Sequence, residues 1–202
     1  LSLGVAVLFL SRINGLLYII FTIDDSALFK RSVKALVINS VPFLISFIFF
    51  TISLLLSDGY AVDHVTGSIS VEKFKYFHNL IQMPFVLLLF LAGVVSVLTG
   101  IGITVLRSGR HGIWFTGTGT VLTVFALFLI AGFNGTSFYP SLYDMQSSLT
   151  INNASSSHFT LQTMMYVSFI IPIVLVYIWY AWKAINREKI TEAEMNTGEH
   201  NY

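Results

Sequence analysis

The chain has 202 residues, of which 55% are hydrophobic and only 10% charged, with a net charge of +1 and no cysteine. A soluble domain carries about 25% charged residues, so this chain cannot cover its own surface with polar groups, and lipid is its expected solvent. The near-zero net charge gives no footing for nucleic acid as a partner, and the missing cysteines exclude disulfides, thiolate metal sites and iron–sulfur clusters within the chain.

Five stretches reach the roughly 20 apolar residues that a helix needs to cross hydrocarbon: about 3–23, 37–57, 84–106, 113–133 and 162–182. The fold class predicted is an all-α integral membrane protein. About five transmembrane helices form a bundle over 1–183, with a short outer interfacial helix, and 184–202 is a cytoplasmic tail. An apolar span is already running at Leu1 and no basic signal-peptide start precedes it. The expectation is a part of a longer protein whose upstream helices are missing.

The first span carries Arg12 near its middle, with Asn14 and Gly15 beside it. An ionised group at bilayer depth is a functional flag by default. Its competing reading is an off-centre arginine whose head snorkels to an interface. No Asp or Glu lies in any of the five spans, so a carboxylate partner for Arg12 must come from outside them. For the same reason a complete proton path through this chain alone is not expected.

Lys30, Arg31 and Lys34 fall in the connection 24–36, Arg107 and Arg110 in the turn 107–112, and Lys183, Arg187 and Lys189 in the tail. Only Lys73 and Lys75 lie on the other side. The positive-inside rule then makes the C-terminus cytoplasmic and residue 1 external. Between the second and third spans, 58–83 is too polar to cross. Phe74, Phe77 and Ile81 recur there at helical spacing opposite Glu72, Lys75 and Asn79, which predicts an amphipathic helix in the outer headgroup region or a packed lid.

The third span offers Gly93, Gly100 and Gly102 and the fourth Gly117 and Gly119, small residues that let helix backbones approach closely in lipid. His64, His78 and His158 fall outside, His111 in the inner turn and His200 in the tail. None is mid-span, where an axial haem ligand would stand, so no metal or catalytic residue is assigned. Arg12 and Asn14 remain as the intramembrane polar candidates. The last third reads as a hairpin closing the bundle. It comprises an aromatic corner Phe138-Tyr139-Pro140-Ser141, an uncharged polar loop, and a final helix kinked at Pro172 and anchored by Trp179, Tyr180 and Trp182.

That hairpin has specific features. Phe138-Tyr139-Pro140-Ser141, Ser148-Leu149-Thr150, the run Ala154-Ser155-Ser156-Ser157, Phe159-Thr160-Leu161, Pro172 to Tyr177 and the Trp182-Lys183 exit stand in an order and spacing over about 60 residues. Together they resemble the end of subunit II of cytochrome bd-type quinol oxidases. Asn152-Asn153 stand where that family tends to show Trp-Asp, which costs a carboxylate and an aromatic ring. The resemblance implies a subunit of a respiratory complex in the bacterial cytoplasmic (inner) membrane that oxidises quinol and reduces oxygen to water. It implies no cofactor on this chain, with b-type and d-type haems and the quinol site on subunit I. The implied partners are subunit I, the amino-terminal half of subunit II, membrane lipid, and quinol through the complex. This chain would serve assembly and channel formation and would not be catalytic alone. Two other readings are open: a fragment of a secondary transporter with Arg12 as a substrate contact, and a structural membrane scaffold.

Overall fold

The computed structural model describes residues 1–63 and 66–185. Chain order is α1 (Ser2–Thr22), α2 (Ser26–Leu55), β1 (Gly59–Val62), β2 (Ile69–Glu72), α3 (Lys75–Gln82), α4 (Pro84–Arg107), α5 (Gly112–Gly132), a 3-10 turn (Met145–Ser147), α6 (Ile151–Ala154), α7 (His158–Ser168) and α8 (Ile171–Ile185). Among the described residues five helices are long and apolar enough to cross a membrane, α7 and α8 counting as one broken span. The fold class is thus the all-α membrane architecture that composition demands. The positions expected for Arg187, Lys189, His200 and most of the tail lie outside the described residues, as does His64.

Packing begins with two antiparallel pairs. In the pair α4–α5 the backbones nearly touch. A Cβ added at Gly93 would lie 2.7 Å from the backbone nitrogen of Thr123, and one at Gly119 would lie 2.6 Å from the carbonyl oxygen of Gly93. A Cβ at Gly100 would meet the Thr116 hydroxyl and, at 2.6 Å, the Gly112 carbonyl. The threonines along this seam satisfy themselves. Thr116, Thr120 and Thr123 donate to the carbonyls of Gly112, Thr116 and Gly119 at 3.0, 2.7 and 2.8 Å. Lipid gives helices no hydrophobic reason to associate, so close approach at small residues supplies it. Gly102 and Gly117, expected on the same footing, face open space; they sit on the outer faces of their helices.

The pair α1–α2 joins the first through a shared core of Ala6, Ile13, Leu17, Leu36, Phe43 and Val97. Phe47 bridges from Phe43 (5.8 Å) to Phe90 of α4 (6.5 Å), both stacked. Between the pairs lies an apolar cavity of about 240 Å³, lined by residues such as Leu3, Ala6, Phe47, Val94 and Leu127.

The second span is longer than expected. The stretch 24–36 is not a loop: α2 starts at Ser26, capped by Asp25, which accepts from the amides of Ala27 and Leu28 at 2.8 and 3.3 Å. Its 30 residues rise about 45 Å at 1.5 Å each, against a hydrocarbon core of about 30 Å. The surplus turns carry exposed Lys30, Arg31 and Lys34 beyond the apolar stretch. Leucine, alanine, lysine and arginine are good helix formers, so the helix continues where hydropathy stops.

The polar stretch after α2 contains a β-hairpin that sequence periodicity does not reveal. β1 and β2 pair antiparallel with Gly59 opposite Glu72 and Val62 opposite Ile69. α3 follows as expected, with a clear orientation. Lys75, Asn79 and Leu80 are buried while Phe74, Phe77 and Ile81 are exposed. The helix packs on α4, α2, α5 and β1, so its polar face turns toward protein and its aromatic face away.

The final span does not close the bundle. No residue of α7 or α8 is buried. The helix breaks at Phe169–Ile170, just before Pro172. There the amides of Phe169, Ile170 and Ile173 reach back three residues, to Tyr166, Val167 and Ile170, at 3.2, 2.9 and 3.0 Å. A ring contact ties the lower part to α1, Trp182 edge-on to Tyr18 at 6.1 Å.

Candidate functional site

Arg12 lies about ten residues from either end of α1, about 15 Å of helix each way. The side chain is exposed on the outer surface of the bundle, while its neighbour Ile13 is fully buried. Its one ring contact is Phe9, with the guanidinium carbon 6.0 Å from the centroid, and no ion pair engages it among the described residues. A charge at mid-bilayer costs about 2.5–3.5 kcal/mol on insertion scales. A cation–π contact returns about 0.5–2 kcal/mol, and 6.0 Å is the far edge of its range. The charge is therefore not compensated within α1. Asn14 sits two positions on and half-buried; its Oδ1 is enclosed without a hydrogen-bond partner. The structure separates the two candidates: Arg12 points outward and Asn14 turns toward the packed side.

One end of the bundle gathers the cations. Arg110, in the α4–α5 turn, pairs with Asp24 at 2.6 Å, donates to the Ile23 carbonyl at 3.4 Å, and lies 5.7 Å from the Phe29 ring. His111 packs edge-on against Phe21 at 5.8 Å. These contacts pin the α1–α2 corner to the α4–α5 turn.

The opposite end is covered by a polar cap. Asn79, fully buried, donates to the Ile130 carbonyl at 2.8 Å and the Thr136 hydroxyl at 2.7 Å, and accepts from Asn134 at 3.1 Å. Gln146 serves as an extra rung on β2: its amide donates to the Ile69 carbonyl at 2.8 Å and its oxygen accepts from the Ile69 amide at 2.9 Å. The loop backbone adds Val62 N–H to the Gly135 carbonyl and Ser137 N–H to that of Tyr60, at 2.6 and 2.9 Å. Ser148 and Thr150 are buried, and Thr150 with Asn153 forms a reciprocal cap on α6. Asn153 also donates to the Ser148 carbonyl at 2.9 Å. Phe138 and Tyr139 are exposed: hydroxyls, amides and the corner's backbone seat this loop, with the Leu149 N–H donating to the Tyr139 carbonyl at 3.0 Å, and the aromatic side chains are not buried in it.

Within the cap, Glu72 joins Lys75 at 3.0 Å and the Nδ1 of His78 at 2.7 Å. The hydrogen bond from His78 and the nearby Lys75 ammonium hold the Glu72 carboxyl below its ordinary value of 4.5, against a smaller opposing effect of burial. Ionised Glu72 only accepts, so Nδ1 of His78 carries the proton. Lys75, almost fully buried, gains its counter-charge here. Burial also raises the phenol of Tyr76.

The described histidines stand apart from one another. His78 is in the cap and His111 in the basic turn, and His158 begins α7. Met83 precedes α4, and Met164 and Met165 are exposed on α7. The cavity between the helix pairs has no histidine or methionine in its lining, so it presents no axial ligand of the usual kind. Among the described residues no three His, Cys, Asp or Glu converge as metal ligands. The cap residues Asn79 and Thr150, both buried, and the exposed Gln146 were not among the sequence candidates; their partners lie as far as 77 positions away.

No curated protein matches the chain closely enough to be counted as a relative. The family model for cytochrome bd terminal oxidase subunit II matches residues 1–185, the whole of the bundle, cap and final helix. With that match extending over nine-tenths of a chain whose five membrane-length helices are already evident, the protein belongs to the cytochrome bd terminal oxidase subunit II family.

Proposed function

We propose that this chain serves a quinol-oxidising, oxygen-reducing complex as the subunit that carries no haem, supporting assembly beside a haem-bearing subunit I. The observation that carries the reading is the family match over residues 1–185. It is supported by described histidines that stand in the cap, in the α4–α5 turn and at the start of α7, and by a bundle cavity lined mostly with apolar side chains. On this reading the b-type and d-type haems and the quinol site belong to subunit I, and this chain contributes a helical wall beside them. The basic end, with Lys30, Arg31, Lys34, Arg107, Arg110 and Lys183, faces the cytoplasm, because Lys and Arg are retained on that side. The polar cap faces outward, where Lys73 and Lys75 are the cations and Lys75 is paired with Glu72.

Deleting the gene tests the function. Membranes should lose quinol-dependent oxygen uptake by this complex in a strain without a second quinol oxidase. Undiminished uptake there would refute the assignment. The natural lack of cysteine gives a clean topology test: Tyr143→Cys, fully exposed in the cap, should react with an impermeant thiol reagent in intact cells, and Ser108→Cys should not. The reverse pattern would invert the orientation.

A further inference from the structure

Arg12 is the only Lys, Arg, Asp or Glu within the five apolar stretches. It is exposed at mid-span, its one ring contact is too weak to offset its burial in hydrocarbon, and the acids nearest in sequence, Asp24 and Asp25, lie beyond the far end of α1. Asp24 is already bound to Arg110, and Asp25 caps α2. α1 ends about ten residues beyond Arg12, at Thr22, which is about 15 Å of helix or half of a hydrocarbon core of about 30 Å, so Arg12 lies at mid-depth and its side chain falls short of the lipid phosphates. The surface around it suits a helix. Leu8 and Val5 are exposed one and two turns before it, and Gly15, three residues on, has nothing within 4 Å of where a Cβ would stand. A neighbouring backbone can approach closely at that glycine.

We propose that this face of α1, centred on Arg12, docks a transmembrane helix from another polypeptide segment that presents an Asp or Glu at mid-depth. Charge complementarity selects the partner: a buried guanidinium takes a carboxylate in a paired, two-pronged geometry. The proposal needs only a helical partner and does not depend on which reaction the complex carries out.

The test uses the intact complex in its native membrane, with a photo-crosslinking residue in place of Leu8. Mass spectrometry should find one captured polypeptide helix with an Asp or Glu within a turn of the crosslinked position. Arg12→Leu should lower that yield at least tenfold, and Arg12→Lys should retain most of it. Adducts to lipid alone, capture of a helix without an acid, or an unchanged yield in Arg12→Leu would overturn the proposal. If Arg12→Leu does not accumulate, combining it with Leu at the captured acid decides: restored accumulation supports the pair, and continued loss refutes it.

Discussion

Helix α5, half of the α4–α5 pair, and the final span α7–α8 have nearly equal mean hydropathy, 1.9 and 2.0, and opposite surroundings: 28% of the α5 window is buried and none of the α7–α8 window is. For α8 the difference lies in side-chain size. α4 and α5 meet through Gly93, Gly100, Gly112 and Gly119, and hydroxyls bonded to their own helices fill the gaps. α8 reads Ile-Pro-Ile-Val-Leu-Val-Tyr-Ile-Trp-Tyr-Ala-Trp, with no glycine, serine or threonine to let another backbone approach. In lipid, apolar character places a helix in the membrane, and small residues decide whether it packs there.

The seam glycines offer the sharpest way to break this contrast. Gly100→Leu drives a side chain into the Gly112 carbonyl and the Thr116 backbone, and should cost about 3 kcal/mol or more, above the usual range for overpacking. Gly117→Leu meets open space and should be nearly neutral. Thermal stability in detergent separates them, and equal effects would refute the seam.

A smaller loss is expected in the cap. Asn79→Leu leaves the Ile130 carbonyl and the Asn134 amide short of a partner, at a cost of about 1–3 kcal/mol. Hydrogen exchange should accelerate over 133–150 and stay unchanged along α4. If the whole bundle loosens equally, the cap is not a separate unit.

The mildest effect is set by pH. Glu72 has a lower pKa in the folded cap than its ordinary value of 4.5. Its stabilising contribution is therefore fully present above 4.5 and is lost as pH falls through the folded value. Exchange of the β2 and α3 amides should rise over that acid range, and Glu72→Gln should flatten the response. An unaltered profile in that variant would assign the acid sensitivity to another group.

How much of this was legible in the sequence follows from the range of each interaction. Span positions were readable because hydrocarbon thickness fixes a length, and the kink at Pro172 because proline acts on its own helix. The α2 extension was hidden: hydropathy falls at Lys30 while helix propensity does not. The hairpin was hidden because strands of four residues, Gly59–Val62 and Ile69–Glu72, are too short for alternation to stand out. Gln146 on Ile69 and Asn79 on Ile130 are pairings across 77 and 51 positions, which no local pattern encodes. Arg12 was conspicuous as a charge, but its outward direction depends on how α1 is rotated against α2 and α5.

The central claim is that the pigments of this complex are held by another subunit. The direct measurement is haem per complex, from reduced-minus-oxidised spectra of complex purified through a tag on this chain, with His78, His111 and His158 each changed to alanine. The account predicts b-type and d-type bands in the unaltered complex and the same haem content in all three variants. Loss of a band with any one substitution, in a complex that still assembles, would place an iron ligand on this chain and contradict it.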